Sequence, residues 1–230
     1  MQNSKFKINE DGLTIIELLI AMSIGLVVLG SVFSSFTTQK KAFDLQEQIT
    51  EMEQNLRFPI DFITRDLRNA GANPNINTTM VIGTSVGLIP NDPNDSDDPN
   101  VPITTDSIKI LSDIDGNGSI PTTDTDVDEK ITYTLNGTTL ERNGNPLVDY
   151  ITALTFTYFD SAGNTIATPI TTTTNLSNIR VVQVSLTART EYEDPNYTGG
   201  VNISGTAADG TCKARTLTVR VRIRNIGLQG

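Results

Sequence analysis

The stretch that decides the fold of this chain begins at residue 12 and reads Gly12-Leu-Thr-Ile-Ile-Glu-Leu-Leu-Ile-Ala-Met-Ser23. It opens an apolar run that reaches Phe36, and Glu17 is the only charged residue in that run. At about 1.5 Å per residue, residues 13–36 extend about 36 Å as a helix, enough to cross a bilayer core of about 30 Å. The stretch is therefore predicted to be a transmembrane helix.

The leader, residues 1–12, and the apolar run that follows it do not have the pattern of a secretory signal that is removed together with its apolar core. Such a signal has a shorter apolar core followed by small residues, whereas here Gly12 stands before the apolar run. Cleavage after Gly12 would leave the span attached to the chain. Lys5 and Lys7 precede the span and no comparable basic pair follows until residues 40–41, so the positive-inside rule favours a cytoplasmic N-terminus and an exported C-terminal part.

This arrangement resembles the class III signal of type IV pilins and type II secretion pseudopilins. In that family a prepilin peptidase cuts after the glycine and methylates the new N-terminus. The resemblance implies cleavage between Gly12 and Leu13 and N-methylation of Leu13. It also implies that Glu17, at position five of the mature chain, guides docking of the subunit.

The chemistry of a bilayer supports a docking role for Glu17 independently. A charged side chain within the apolar core costs about 3 kcal/mol or more and is tolerated there when it has a partner. The natural partner is the free amino terminus of a neighbouring chain. The alternative is that Glu17 lies at headgroup depth and reaches water.

Composition excludes several classes of function. The chain of 230 residues has a net charge of −10, one cysteine and no histidine. Its acidity argues against binding nucleic acid by bulk charge, and the missing histidine removes the usual base of Ser-His-Asp and Cys-His catalysis. Cys212 cannot form an intrachain disulfide and is expected to be a small buried residue. We therefore expect no enzyme.

An amphipathic helix is predicted to continue the span over residues 37–71. Its apolar face follows alternating steps of three and four: Leu45, Ile49, Met52, Leu56, Ile60, Ile63, Leu67 and Ala70. Gly71 and Pro74 supply a stop signal. Pro59 lacks an amide donor within the helix, which predicts a kink near that residue.

Residues 53–71 narrow the resemblance to PilW-like minor pilins, of which pseudopilin J is a close relative. The matching pattern is Arg57-Phe58, Asp61, Arg65-Asp66-Leu67-Arg68 and Ala70-Gly71. The C-terminal residues 215–225 also resemble the ending of those proteins. Without the resemblance, Arg65, Asp66 and Arg68 are interpreted as a solvated helix face with exposed ion pairs of under about 1 kcal/mol.

The remainder is predicted to be a polar acidic loop region, residues 72–106, followed by an antiparallel β-rich head, residues 107–230. Strands are predicted at residues 107–111, 130–135, 138–142, 147–150, 153–159, 179–190 and 215–224. Asn136-Gly137 favours a two-residue hairpin turn with positive φ at both positions. Asp160 to Asn164 is expected to close a second hairpin.

The last predicted strand carries a row of arginines on one side. Its apolar residues Leu217, Val219, Val221 and Ile223 alternate with Thr218, Arg220, Arg222 and Arg224. We expect the arginines to pair with the chain's own Asp and Glu residues, in preference to forming an interface. No aromatic residue interleaves with them to stack bases, so direct nucleic-acid binding is not expected.

Residues 113–124 match the oxygen-ligand positions of a calcium loop. The ligand candidates are Asp113, Asp115, Asn117, Ser119 through its carbonyl, and Asp124. Gly118 supplies the turn, but strands flank the loop in place of helices, and Pro121 offers no side-chain ligand. Ca²⁺ is thus a candidate cofactor, and the alternative is an Asp/Gly-rich surface turn that binds nothing.

Together these features predict an α+β, type IV pilin-like fold, with a long N-terminal helix packed on an antiparallel β-rich head. The resemblance implies a PilW-like minor pilin held in the bacterial inner membrane and then built into a pilus. Its partners would be major and minor pilins, the prepilin peptidase, the inner-membrane assembly platform and membrane lipid. The alternatives are a type II secretion pseudopilin and a membrane-anchored, calcium-dependent surface adhesin.

Overall fold

The computed structural model describes residues 12, 14–72, 88–89, 106–112, 129–168, 170, 178–194, 197–202 and 210–224. Internal contacts divide the chain into two units, Met1–Glu47 and Gln48–Gly230. Helix α1 spans Ile15–Asn69. The strands are β1 Leu88–Ile89, β2 Ile108–Leu111, β3 Lys130–Asn136, β4 Thr139–Arg142, β5 Asn145–Val148, β6 Ile151–Phe159, β7 Thr165–Ile166, β8 Val181–Arg189 and β9 Ala214–Arg222.

The part of α1 that lies in the second unit is amphipathic, as its sequence predicts. Its buried apolar residues recur at steps of three and four: Met52, Leu56, Ile60, Ile63 and Leu67. Pro59 is also buried and lies inside the helix, which continues beyond it to Asn69. The kink expected near Pro59 stays a prediction.

Gly71 ends the helix and connects it to the first sheet. Its φ of 72° is in the left-handed region that glycine adopts without a side-chain clash. In this conformation its N–H donates to the carbonyl of Leu111 on β2 at 2.8 Å. The predicted stop signal is therefore also an attachment point between helix and sheet.

The strands form two antiparallel sheets. The sequence predicted antiparallel strands but did not indicate that they divide into two sheets. The first sheet has the order β1-β2-β3-β4-β5, and the second has the order β7-β6-β8-β9. Two short strands were not predicted: β1 lies within the segment assigned to a polar loop, and β7 pairs with the end of β6. The hairpin expected at Asp160 to Asn164 is present, because Phe159 pairs with Thr165.

The turn predicted at Asn136-Gly137 is displaced by one residue. Asn136 pairs with Thr139, so the two turn residues are Gly137 and Thr138. Gly137 has a φ of 61°, whereas Asn136 is the last residue of β3. One glycine at the first turn position satisfies the geometry of a type II′ turn, and Asn136 is free to remain in the strand.

The Asn-Gly turn with positive φ at both positions occurs instead at Asn143-Gly144, between β4 and β5. The two φ angles are 53° and 72°. Asn143 is fixed to β3 because its N–H donates to the carbonyl of Thr132 at 2.9 Å, and its Oδ1 accepts from the N–H of Thr132 at 2.7 Å. This turn is therefore locked against the neighbouring strand.

A single apolar core joins both sheets to the second-unit part of α1. Its largest fully buried members include Tyr133 from β3, Phe156 and Tyr158 from β6, and Ile63 and Leu67 from α1. Cys212 is buried and free, as its residue type suggested. The head is thus stabilised by apolar packing between helix and sheets.

Candidate functional site

The N-terminus of α1 is closed by a reciprocal set of hydrogen bonds between Thr14 and Glu17. The N–H and hydroxyl of Thr14 donate to Oε2 of Glu17 at 3.0 and 2.9 Å. In return the N–H of Glu17 donates to Oγ1 of Thr14 at 3.3 Å. This is a capping box, in which Thr14 is the N-cap and Glu17 is the third helical residue. The carboxylate is thereby held at the helix N-terminus.

Thr14 is a site residue that the sequence reasoning missed. The available signal was the spacing of Thr14 and Glu17, since a threonine followed three residues later by glutamate, just before an apolar run, marks a helix start. The capping box gives Glu17 a structural role in addition to the docking role implied by the resemblance. The two roles make different demands on the carboxylate, because capping needs an acceptor atom whereas docking to an amine needs the charge.

The apolar side chains after Glu17 remain exposed on their own chain. Val27 is 74 % exposed, Phe33 70 % and Leu29 66 %. An apolar surface of this extent is stable only against lipid or another protein. Within the described residues, α1 is the one helix long and apolar enough to cross a membrane.

Two serine hydroxyl groups in this apolar region donate to carbonyls of the helix itself. Ser23 donates to the carbonyl of Leu19 at 2.8 Å, and Ser31 donates to the carbonyl of Val28 at 2.7 Å. Such internal bonds remove the cost of placing a hydroxyl in an apolar medium. These serines therefore do not oppose burial of the helix in lipid or among other helices.

The cleavage position is only partly described. Gly12 is exposed, and a Cβ built on it would have no atom within 4 Å. Leu13, the expected site of N-methylation, lies outside the described residues. The role of both residues stays a prediction.

Asp66 forms a buried polar cluster with two residues of the first sheet. The hydroxyl of Tyr133 donates to Oδ2 of Asp66 at 2.7 Å, and Nε and Nη2 of Arg142 approach the same oxygen at 3.3 Å. Asp66 is 5 % exposed and Tyr133 is fully buried. The interpretation of Asp66 as part of a solvated helix face is therefore wrong, since this residue attaches the helix to the sheet.

The signal for this contact was the position of Asp66 on the helix. It follows Ile63 by three residues and therefore falls on the apolar face, where an acid needs a buried partner. Its partners on β3 and β4 are distant in sequence, and a single sequence does not identify them. Burial, together with the hydrogen bond to Asp66, raises the pKa of Tyr133 above its ordinary value.

The pairing of Arg220, Arg222 and Arg224 with Asp and Glu residues stays a prediction. Arg220 donates from Nε to Oε1 of Gln183 at 2.8 Å, and its guanidinium lies 4.6 Å from the ring centre of Phe159. In the described part of the chain, no ion pair joins Arg220, Arg222 or Arg224 to a carboxylate. Arg215, on the other side of β9, pairs with Glu53 of α1.

The calcium-loop residues Asp113, Asp115, Asn117, Ser119 and Asp124 lie outside the described residues. Ser112 and Glu129, which flank positions 113–128, are described, and the N–H of Ser112 donates to the carbonyl of Glu129 at 3.0 Å. Elsewhere in the described chain, no group of three or more His, Cys, Asp or Glu side chains is arranged to hold a metal ion.

Comparison with known proteins identifies the N-terminal segment. Residues 8–33 match the family model of the prokaryotic N-terminal methylation motif, so the class III prepilin signal expected from the sequence is confirmed. Comparison with curated protein sequences gives no match. Among solved structures, a type IV-like pilin from Thermus thermophilus aligns with 12 % identity and a TM-score of 0.42, covering 79 % of this chain and 97 % of the other. Of these findings, only the motif match indicates a function for this chain.

Proposed function

We propose that this chain is a minor type IV pilin of the PilW-like kind, a structural subunit for the initiation or assembly of a type IV pilus. The observation that carries the proposal is the methylation motif at residues 8–33, which includes Gly12 and Glu17. The apolar helix after Glu17 supplies the surface that lipid would cover before assembly and other pilins would cover afterwards. On this proposal the chain has no catalytic role.

The subunit would start as a single-pass protein of the bacterial inner membrane, with its N-terminus in the cytoplasm. A prepilin peptidase would remove residues 1–12 and methylate the amine of Leu13. The assembly platform would then extract the subunit from the membrane and pack it among major and minor pilins. The carboxylate of Glu17 would guide this step by pairing with the terminal amine of a neighbour.

Processing is the first test. Intact-mass measurement of the membrane form should give a chain that begins at Leu13 and carries one added methyl group. Gly12→Leu should block cleavage, because a bulky residue replaces the glycine of the peptidase signal. Ser23→Ala is a matched control inside the span and should be processed normally. A mature protein that keeps residues 1–12 would exclude the pilin proposal.

The machine that uses the subunit is tested separately. Deletion of the gene should reduce surface pili in sheared fractions and leave secretion of exoproteins unchanged. The opposite result would assign the chain to the pseudopilins of type II secretion. Neither result changes the outcome expected from the processing experiment, because type IV pilins and type II secretion pseudopilins share the same class III signal.

A further inference from the structure

Strand β9 forms an edge of the second sheet. It pairs with β8 from Ala214 to Arg222, and no other strand in the described residues pairs with it. An edge strand exposes a row of backbone N–H and C=O groups to which another strand can bind. The side chains along this edge are also exposed at every second position.

Hydrogen bonds at both ends of the β8–β9 ladder establish which backbone groups point outward. The N–H of Ile223 donates to the carbonyl of Arg180 at 3.0 Å, and the N–H of Thr190 donates to the carbonyl of Lys213 at 2.8 Å. No register shift occurs between these ends. Because successive residues alternate in direction, the odd-numbered residues of β9 bond to β8. The even-numbered residues face the open edge: Ala214, Thr216, Thr218, Arg220 and Arg222.

The outer side of this edge is positively charged. Arg220 and Arg222 are exposed, and the contacts of Arg220 are with the neutral side chains of Gln183 and Phe159. The chain as a whole carries a net charge of −10. A local positive strip on an acidic protein favours an acidic partner, since complementary potentials guide association and reject the wrong charge.

The inner side of the same edge has incompletely covered apolar residues. Val221 and Ile223 are 1 % and 3 % exposed, whereas Leu217 and Val219 are only partly buried against the core. The core therefore thins toward the N-terminal half of β9. Apolar side chains of an added strand would cover Leu217 and Val219.

We propose that β9 binds an extended segment of another protein by strand addition, and that this segment alternates acidic and apolar residues. Its backbone would bond to the outward groups of Thr216, Thr218 and Arg220. Its acidic side chains would lie beside Arg220 and Arg222, and its apolar side chains would lie on the Leu217 side, because side chains of a strand alternate between faces. This surface does not use Gly12 or Glu17, so the inference is independent of the proposed pilus function.

The test measures binding of a short synthetic peptide that alternates glutamate and valine to the purified full-length chain in detergent micelles. Calorimetry should detect binding, and a peptide that alternates lysine and valine should not bind. The double variant Arg220→Glu/Arg222→Glu should weaken binding by about tenfold, the effect of losing two exposed charge pairs. Arg57→Glu, an exposed arginine of α1, is the control and should bind as the wild type does.

Amide hydrogen exchange distinguishes strand addition from simple charge attraction. The peptide should protect the N–H groups of Thr216, Thr218 and Arg220, which have no bonding partner on β8. Thr218→Pro should weaken peptide binding at least as much as the charge variants do. Proline removes an outward N–H, and this N–H makes no ladder bond to β8. This variant keeps the proposal testable if the arginine variants fail to fold.

Two results would overturn the proposal. One is the absence of any binding of the glutamate-valine peptide by the wild-type chain. The other is binding without protection of the even-numbered amides, with equal displacement by inorganic polyphosphate. That second outcome would make the arginine row a general polyanion surface and would exclude strand addition.

Discussion

The hydroxyl of Tyr133 on β3 donates a 2.7 Å hydrogen bond to Asp66 on α1, a residue 67 positions earlier in the chain. Arg142 of β4 contacts the same carboxylate oxygen at 3.3 Å. With the bond from Gly71 to Leu111, this cluster gives the helix two polar attachments to the first sheet. Polar contacts fix the orientation of the helix, whereas the apolar core alone specifies mainly its burial.

Asp66→Ala should strongly destabilise the chain. The substitution leaves the hydroxyl of Tyr133 and the guanidinium of Arg142 without their buried acceptor, and such losses cost about 3 kcal/mol. Urea unfolding of the full-length protein in detergent, followed by circular dichroism, measures the change. Asp61→Ala, an exposed acid on the same helix, should change the free energy of unfolding by under about 0.5 kcal/mol. Equal effects of the two substitutions would mean that the cluster adds nothing.

Tyr133 should make the stability depend on pH in the alkaline range. Its pKa in the folded state is raised, first by burial and then by the hydrogen bond to Asp66. The unfolded chain therefore loses this proton at a lower pH than the folded chain. The stabilisation is fully present below pH of about 10 and is lost as the pH rises above that value.

Tyr133→Phe tests that contribution, because phenylalanine keeps the ring and removes the titrating hydroxyl. At neutral pH it should be less stable than the wild type by about 1 kcal/mol, the net value of a buried hydrogen bond. Between neutral and strongly alkaline pH its stability should fall less steeply than that of the wild type. Chemical unfolding at a series of pH values measures both slopes, and parallel curves would contradict the assignment.

The sequence specifies much of this fold because the relevant signals are local. The apolar steps from Met52 to Leu67 predict the helix face that is buried, and alternating residues predict the principal strands. Turns rich in Gly and Asn predict the hairpins. However, Asn136-Gly137 and Asn143-Gly144 show that strand pairing determines which residues occupy the turn positions. The same dipeptide spans a strand end in the first case and forms the turn in the second.

The rest depends on contacts between residues far apart in the chain. Nothing near Asp66 in the sequence identifies Tyr133 or Arg142 as its partners. The short strand β1 consists of Leu88 and Ile89 and has no periodic pattern, so only its pairing with β2 defines it. At the N-terminus the motif predicts processing at Gly12, whereas the capping role of Thr14 follows from its hydrogen bonds with Glu17.

Calcium should stabilise the folded chain if residues 113–124 form the proposed ion site. A ligand that binds only the folded state adds about 2.7 kcal/mol at about 100 times its Kd. The residues on either side of the undescribed stretch are close together, because the N–H of Ser112 donates to the carbonyl of Glu129. Thermal unfolding of the full-length protein with and without calcium measures the shift.

Asp113→Ala and Asp115→Ala should each abolish the calcium shift, because each removes a charged oxygen ligand. Asp61→Asn, on α1, is the control and should respond to calcium as the wild type does. The absence of both binding heat and a thermal shift at millimolar calcium would make the segment a polar turn. In that case the head would be stabilised by its apolar core and the Asp66 cluster, without a bound ion.

Glu17→Gln and Thr14→Val separate the two roles of the N-terminal carboxylate. Glutamine keeps an acceptor oxygen for Thr14 and removes the charge, whereas valine removes the hydroxyl and keeps the charge. Loss of the cap costs about 1 kcal/mol at the helix start. If the charge guides docking, Glu17→Gln should greatly reduce incorporation into sheared filaments, and Thr14→Val should reduce it only slightly. Immunoblots of filament and membrane fractions give the ratio, with normal processing at Gly12 as the control for both variants. Wild-type incorporation of Glu17→Gln, together with a loss for Thr14→Val, would assign Glu17 to capping and exclude a docking role for its charge.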